Sequence, residues 1–217
     1  MSKRSERPAP SETAPRMLDV AERLAQTRGF NGFSYADIAA EMRLTKASLH
    51  YHFATKADLG AALIVRYAKR FDEALAQIES PDAQQVLRKY VRLYESVLVR
   101  DRMCLCGMLA AEYSTLPSSM QSALRQFFDM NETWLAATLE RGRAHGHLPF
   151  NGSALEAART LTAGLEGAML LARSYEEPGR FTAIASHLLA AFGILPVSLT
   201  GSSRSPQRPK RSQAAAR

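Results

Sequence analysis

The 217-residue chain is 46% hydrophobic and 23% charged, which are the proportions of a globular protein that buries a core. These proportions exclude collagen, coiled-coil fibres and wholesale disorder. No stretch of the sequence is long and apolar enough to span a membrane, and no apolar signal segment follows the basic first residues. We therefore expect a cytoplasmic protein that has no membrane partner.

The net charge of +7 is confined to the two ends of the chain. Residues 1–10 contribute +2 and residues 198–217 contribute +5, whereas basic and acidic side chains are equally numerous in between. Both ends are rich in Ser, Pro and Arg, and such sequences bury too little apolar surface to fold. We predict a disordered basic arm at 1–10 and a disordered basic tail at 196–217. A nucleic-acid-binding fold must therefore be argued from motifs in the electrically neutral body.

Between these ends the hydrophobic residues recur every three or four positions, and alternating strand patterns are absent, which predicts an all-α fold. The first helix is expected near 12–28. Two short helices follow at Tyr35–Met42 and Lys46–His52, and a longer helix capped by Thr55 runs to about Glu79. Breaks in the later sequence predict further helices near 82–100, 102–115, 118–145, 152–176 and 179–193.

The two short helices are joined by a tight turn, which is the arrangement of a helix-turn-helix motif. Ser34 and Thr45 precede them as N-caps. The second of these helices is short and carries the small residues Ala47 and Ser48 on its outer side. Small side chains permit close approach to base edges in the major groove of DNA. The apolar side chains that are placed to point inward are Ile38, Ala39, Leu44 and Leu49.

Residues 17–67 resemble the TetR family of bacterial transcriptional regulators. The resemblance is carried by Gly29-Phe30, by Ser34–Ala39 and above all by Thr45–Phe53 with the following Lys56 and Leu59. It implies an N-terminal helix-turn-helix three-helix domain at 11–56, a connecting helix at 57–81, and a helical domain for ligand binding and dimerisation at 82–195.

The resemblance also implies which residues meet DNA. It gives backbone contacts to Thr45, Lys46, Tyr51, His52 and Lys56, and base readout to the neighbourhood of Ala47 and Ser48. His50 departs from the family, which usually has Tyr at this position, and its side chain has a shorter reach to phosphate. Because His50 and His52 diverge around the helix, we predict no metal site. The predicted DNA-binding residues are Ser34, Tyr35, Thr45, Lys46, Ala47, Ser48, His50, Tyr51, His52 and Lys56.

In function, the resemblance implies a homodimeric, ligand-responsive repressor that uses no cofactor, rather than an enzyme. Two subunits would bind double-stranded DNA at a palindromic operator, and a small apolar or electrophilic effector would release them. The last two helices would pair across the two-fold axis. In the alternative interpretation, Gly164 and Gly167 only ease packing within one chain. The predicted dimer-interface residues are Leu161, Gly164, Ala168, Leu171, Ile184, Leu188 and Phe192.

Cys104 and Cys106 are the two cysteines of the chain. Two residues apart on a helix, their sulfurs point away from each other, which argues against a shared metal ion and an unstrained disulfide. Asp101 is expected to cap this helix, and the helix dipole together with Arg100 and Arg102 would then lower the pKa of the thiols. The stretch also resembles the branch of the family that responds to reactive electrophiles through a cysteine. Two alternatives stay open: both thiols pack as small hydrophobes, or they serve an all-helical thiol oxidoreductase.

The effector pocket is expected among the apolar and aromatic side chains of the later helices. A further class of protein also stays open, a constitutive architectural DNA-binding protein that binds through its basic ends. The predicted effector-binding or sensing residues are Cys104, Cys106, Leu109, Tyr113, Phe127, Phe128, Met130, Trp134, Leu165 and Met169.

Overall fold

The computed structural model describes residues 10–194. Nine α-helices and one 3-10 turn make up this range, and no strand occurs within it, which confirms the all-α prediction. The elements are α1 (Pro10–Arg28), α2 (Tyr35–Met42), α3 (Lys46–His52), α4 (Lys56–Ala76), α5 (Ala83–Leu98), α6 (Leu105–Ala111), the 3-10 turn Tyr113–Thr115, α7 (Ser118–Ala144), α8 (Ala154–Ser174) and α9 (Pro178–Ala190).

Local side-chain caps define the ends of the first helices. Ser34 and Asp37 form a reciprocal capping box at the start of α2, and Thr55 and Asp58 form a second one at the start of α4. Each box satisfies backbone amides that no helix carbonyl can reach. Arg43 ends α2 in the left-handed conformation with φ 56°, and this sharp reversal directs the chain into α3.

The N-terminal domain, α1–α3, and the bundle, α5–α9, are joined by α4. Leu59, Leu63 and Ile64 on the first half of α4 are completely buried, and they belong to one continuous core that extends through both parts. α4 also packs against α7, and α8 packs against both α7 and α9. Because α4 belongs to both parts, a displacement within the bundle can reach the N-terminal domain through it.

The helix predicted at 102–115 begins later than expected. The chain reverses after α5 at Asp101, whose φ is 54°. The amide of Arg102 bonds back to the carbonyl of Val97 at 3.2 Å, which is the pattern of a helix C-terminus closed by a left-handed residue. Asp101 therefore closes α5, whereas α6 is preceded by Cys104, whose side chain makes no cap bond. The prediction that Asp101 caps the cysteine-bearing helix was wrong.

Two predicted segments fall at the ends of the chain. The basic arm at 1–10 lies outside the described residues, apart from Pro10, with which α1 begins. The basic tail at 196–217 lies wholly outside them. Within 10–194, no helix combines the length and the apolar character that crossing a membrane requires.

Candidate DNA-binding interface and effector site

α3 presents a free outer face to solvent. Leu49 on its inner side is completely buried, whereas Lys46 and Ala47 are exposed and Tyr51 is 85% exposed. His52 and Ser48 are half-buried at the edges of this face. Because Tyr51 is so exposed, its ring contributes little buried surface to the core. α3 is therefore free to enter a groove that admits a helix, such as the major groove of DNA.

Two predicted DNA contacts, Ser34 and Thr45, use their hydroxyl groups as helix caps. The Ser34 hydroxyl accepts a hydrogen bond from the amide of Ala36 (3.2 Å) and donates one to Asp37 (2.7 Å). The Thr45 hydroxyl accepts from the amide of Ser48 at 3.2 Å. Both residues are exposed, and the Thr45 hydroxyl keeps its own proton, which it can donate to a phosphate oxygen.

Tyr35 supports α3 and does not face solvent. Only 8% of its surface is exposed, and its hydroxyl lies 2.9 Å from the carbonyl oxygen of Phe53 and 2.7 Å from that of Thr55. Burial, reinforced by the nearby Asp58 carboxylate, raises the pKa of Tyr35 to about 12. The ring also packs against His50, with 4.7 Å between centroids. We therefore reassign Tyr35 from DNA contact to fixing the end of α3 against α4.

Lys56 is also reassigned, because its ammonium group is folded into the N-terminal domain. It donates hydrogen bonds to the carbonyl oxygens of Phe30 and Phe33. It also lies 4.4 Å from the centroid of each of these two rings. Burial lowers the pKa of Lys56, although the carboxylates of Glu112 and Asp37 oppose that shift. The ammonium group is thus committed to the turn between α1 and α2 rather than presented to DNA.

Glu112 forms a second connection between the bundle and the N-terminal domain, in addition to α4. The sequence did not predict this role. Its carboxylate follows α6 and accepts hydrogen bonds from the amides of Phe30 (2.6 Å) and Asn31 (3.3 Å). The Asn31 side chain also donates to the Thr115 hydroxyl at 2.8 Å. Gly29 has a φ of 82°, and a Cβ there would lie 2.6 Å from a Glu112 oxygen. The positive φ at Gly29 explains why a glycine stands here. The contact of Glu112 with Phe30 could not be predicted, because 82 residues separate the two in sequence.

Both thiols are buried, and this contradicts the prediction of a lowered thiol pKa. Burial, followed by the negative charge of Glu166, raises the pKa of Cys104 well above its usual range. Burial, followed by the nearby Cys104 thiol, also raises the pKa of Cys106. The prediction failed because Cys104 is enclosed by α4 and α6, where the charged form of a thiol loses its hydration. The Tyr67 hydroxyl of α4 lies 3.7 Å from the Cys104 sulfur.

A cavity of about 330 Å³ reaches Cys104 from the side of α4 and α5. Apolar and aromatic side chains form about half of its lining, and polar or charged side chains, including three arginines, form the rest. An apolar cavity that carries polar groups is suited to a small molecule. Of the residues predicted for effector binding, Cys104 is the one that lines it. The other lining residues are Glu22, Gln26, Tyr67, Arg70, Phe71, Ala74, Leu93, Tyr94, Ser96, Val97, Arg100 and Arg102.

The other predicted effector residues are distributed over several places. Phe128 lines a second cavity of about 420 Å³ between α6, α7 and α8, and Trp134 lines a third of about 750 Å³. Tyr113 is half-buried and accepts a hydrogen bond from Arg125, and Met130 is packed at the edge of the core. Helical periodicity indicates which side chains face inward, but not where the packed interior leaves space. Core positions are occupied by Cys106, Leu109, Phe127, Leu165 and Met169.

A buried polar network lies beside the cavity and gave no recognisable signal in the sequence. The Tyr90 hydroxyl is 3.1 Å from the Tyr94 hydroxyl, donates to Asn131 at 3.1 Å and lies 3.4 Å from the Thr162 hydroxyl. These residues come from α5, α7 and α8, so the network ties three helices together. Satisfied networks of this kind fix one arrangement of a core.

The predicted dimer face is part buried and part free. Leu161, Ala168 and Phe192 are buried within the chain, so their side chains are not free for a partner. A Cβ at Gly164 would lie 2.7 Å from Leu188 of α9, which places this glycine in packing within the chain, whereas Gly167 has nothing within 4 Å. Leu171 is 49% exposed, and Ile184 and Leu188 are half-buried. Leu155 and Leu170 of α8 are also exposed, as is Tyr175 just past its end.

Two family models cover most of the described chain. Residues 17–63 match that of bacterial regulatory proteins of the tetR family, and residues 83–188 match that of the tetracyclin repressor-like C-terminal domain. The first match includes α3, and the second includes both cysteines.

Individual proteins show the same similarity. The HTH-type transcriptional repressor NemR of Escherichia coli is 28% identical over 174 residues, which cover 76% of this chain and 87% of NemR. The transcriptional regulator AcuR of Cereibacter sphaeroides is 31% identical over 157 residues, or 67% of this chain and 69% of AcuR. A crystal structure of a TetR-family transcriptional regulator from Agrobacterium tumefaciens has a TM-score of 0.82 at 34% identity, covering 85% of this chain and 99% of that one.

Proposed function

Because this chain belongs to the TetR family of bacterial transcriptional regulators, we propose that it is a dimeric repressor released from its operator by a small molecule. Each subunit places α3 in one major groove of a palindromic site. The exposed outer face of α3 carries this proposal, because Tyr51 and Lys46 stand in solvent while Leu49 anchors the helix from within. The name of NemR, a transcriptional repressor, supports repression over activation.

Dimerisation is proposed through the outer faces of α8 and α9. Three large apolar side chains of α8 and Tyr175, just past its end, are exposed, and clustered exposed apolar side chains mark an interaction surface. A two-fold axis through this surface makes each subunit present the same patch to its partner. The revised interface residues are Leu155, Gly167, Leu170 and Leu171 of α8, Tyr175 just past its end, and Ile184 and Leu188 of α9.

Effector release is proposed to act through α6. Cys104 at its start lines the 330 Å³ cavity, and Glu112 just past its end holds the amides of Phe30 and Asn31 in the N-terminal domain. A ligand that moves α6 therefore moves the turn between α1 and α2, and with it α3. The ligand shifts the equilibrium only if it binds more tightly to the arrangement that does not fit DNA.

The relatives found are transcriptional regulators, which favours regulation over the thiol oxidoreductase alternative. The architectural alternative is distinguished by removing residues 198–217. If α3 recognises the operator, the truncated chain still binds it sequence-specifically. If the basic tail is responsible, specific binding is lost with the tail.

The proposal is tested by selecting the fragments of the source genome that the protein binds, which should share a palindrome. Ser48→Ala removes a hydroxyl able to bond base edges, so we expect altered preference at one position of each half-site, by about 1–3 kcal/mol. Ser119→Ala, at an exposed position of α7, is the matched control and should leave the preference unchanged. Recovery of fragments that have no common palindrome would contradict the proposal.

A further inference from the structure

The 330 Å³ cavity lies between the N-terminal domain and the bundle. Its lining comes from α1, α4 and α5 and from the chain just before α6. Glu22 and Gln26 are the two residues that α1 contributes to it. A molecule that fills the cavity therefore touches the N-terminal domain directly, as well as the helices of the bundle.

Most of the polar side chains in this lining already have partners within the protein. The Glu22 carboxylate, for example, pairs with the Arg70 guanidinium at 3.2 Å. Such groups are satisfied without a ligand, so they do not indicate what the cavity binds. The lining side chains with partners of this kind are Glu22, Tyr67, Arg70, Tyr94 and Ser96.

Gln26 is the first exception. Only 3% of its surface is exposed, and its side-chain oxygen Oε1 is buried without a hydrogen-bond partner. Its backbone is held in place, because its carbonyl oxygen accepts a hydrogen bond from the amide of Met103 at 3.2 Å. A buried acceptor that lacks a donor destabilises the folded state. A ligand in the cavity that donates a hydrogen bond to this oxygen would remove that cost.

Arg100 and Arg102 are the other exceptions. Both line the cavity, and within 10–194 neither guanidinium group takes part in an ion pair or a hydrogen bond. Arg102 is half-buried and Arg100 is exposed. The one acidic residue of the lining, Glu22, is already paired with arginines of α4. The unmatched groups of the cavity are thus two cations and one acceptor, which call for an anion and a donor on the same ligand.

We propose that the cavity binds a small aromatic acid that carries a hydroxyl group, with its carboxylate on Arg102 and Arg100 and its hydroxyl donating to the Gln26 side-chain oxygen. This inference rests on the proposed effector-responsive function and gives the effector a chemical class. The apolar part of the lining suits the ring, and the volume of 330 Å³ lies at the small end of the range for ligand sites. The apolar lining residues are Phe71, Ala74, Leu93 and Val97.

Gln26 then determines which acids engage the N-terminal domain. An acid that has the hydroxyl bonds to α1 and to the arginines after α4 at the same time. An acid without it can fill the cavity, but it leaves Gln26 without a donor. The hydroxyl therefore adds a bond between α1 and the bundle that the empty protein does not have.

The experiment measures the affinity of the full chain for three probes by titration calorimetry at about pH 7. 4-Hydroxybenzoate has both groups, benzoate lacks the hydroxyl, and 4-hydroxybenzamide lacks the charge. At this pH the carboxyl is ionised and the phenolic hydroxyl keeps its proton. We expect 4-hydroxybenzoate to bind about tenfold more tightly than benzoate, and roughly 10- to 100-fold more tightly than the amide.

Two variants assign these differences to residues. Gln26→Met removes the acceptor at similar size, so 4-hydroxybenzoate should lose about tenfold in affinity while benzoate keeps its own. Arg102→Gln should weaken both acids by roughly 10- to 100-fold and leave the amide unchanged. The matched controls are Gln77→Met, at the exposed end of α4, and Arg92→Gln, at an exposed position of α5. Neither control should change any of the three affinities.

Equal affinities of the unaltered protein for 4-hydroxybenzoate and benzoate would overturn the inference. An equal loss of both acids in Gln26→Met would overturn it as well, as would the binding of neither acid. If Gln26→Met does not fold, the order of the three probes on the unaltered protein decides. The operator selection uses none of these compounds, so a shared palindrome among the selected fragments leaves the proposed function intact in each of these cases.

Discussion

At the scale of single residues, three charged or polar side chains stand in unusual surroundings. Lys56 is partly buried, and two carbonyl oxygens and two aromatic rings replace water around its amino group. Tyr35 fixes the end of α3 through two carbonyl oxygens. Glu166 differs from both, because one of its oxygens is buried without a partner. Its burial should therefore reduce the stability of the folded state whenever the carboxyl is ionised.

Glu166→Gln should stabilise the protein at pH 8 and have a much smaller effect at pH 5. The folded-state pKa of about 7 lies above the ordinary value of 4.5, so the folded chain holds a proton in this window that the unfolded chain has lost. The free energy of unfolding therefore falls as the pH rises from 4.5 to 7. Gln does not ionise, so the substitution removes this loss. The gain in the free energy of unfolding caused by Glu166→Gln should be about 2 kcal/mol larger at pH 8 than at pH 5.

Urea unfolding of both proteins at the two pH values measures this difference. Comparing the two pH values cancels the part of the substitution's effect that does not depend on ionisation. A stability difference of the same size at pH 5 and pH 8 would show that Glu166 is not held with a raised pKa.

At the scale of elements, α6 connects the two parts of the molecule. Cys104 stands at its start beside the cavity, and Glu112 at its end holds the amides of Phe30 and Asn31. Arg173 of α8 adds to this joint by donating to the carbonyl oxygen of Thr27 at 3.1 Å. One helix of seven residues thus leads from the proposed effector site to the turn between α1 and α2.

Glu112→Ala should weaken communication between the cavity and DNA while the operator is still bound. Loss of the carboxylate leaves the amides of Phe30 and Asn31 without their acceptor, and we expect their hydrogen exchange to accelerate roughly tenfold. Release of the operator by an effector that binds the 330 Å³ cavity should require more of that effector or fail. Glu79→Ala, an exposed glutamate beyond α4, is the control. Unchanged exchange and unchanged release in Glu112→Ala would exclude this route.

The elements that sequence reasoning placed well are those whose ends are set by neighbouring residues. α2 and α3 have the predicted bounds, and their first residues are set by the N-caps Ser34 and Thr45 directly before them. The roles of Lys56 and Glu112 could not be predicted, because their partners lie 26 and 82 residues away. The prediction of a lowered thiol pKa failed for the same reason, because the groups of α4 and α8 that surround Cys104 lie far from it in the sequence.

At the scale of the whole molecule, the neutral body carries the fold. The ion pairs of Arg66 with Asp19 (2.9 Å) and Glu22 (2.8 Å) hold α1 against α4. The exposed apolar face of α8 and the projecting α3 are the two surfaces that the fold of one chain leaves unexplained. The proposed two-fold dimer would explain both, because it would cover the first and present two copies of the second.

The salt dependence of operator binding tests the role of α3 most directly. Lys46 is exposed on α3, so Lys46→Ala should weaken binding to all sequences alike and reduce the slope of log K against log salt by about 1. Lys69→Ala, which removes an exposed lysine in the middle of α4, should leave the slope unchanged. If Lys46→Ala binds the operator with the same affinity and the same slope as the unaltered protein, α3 is not the element that enters the groove.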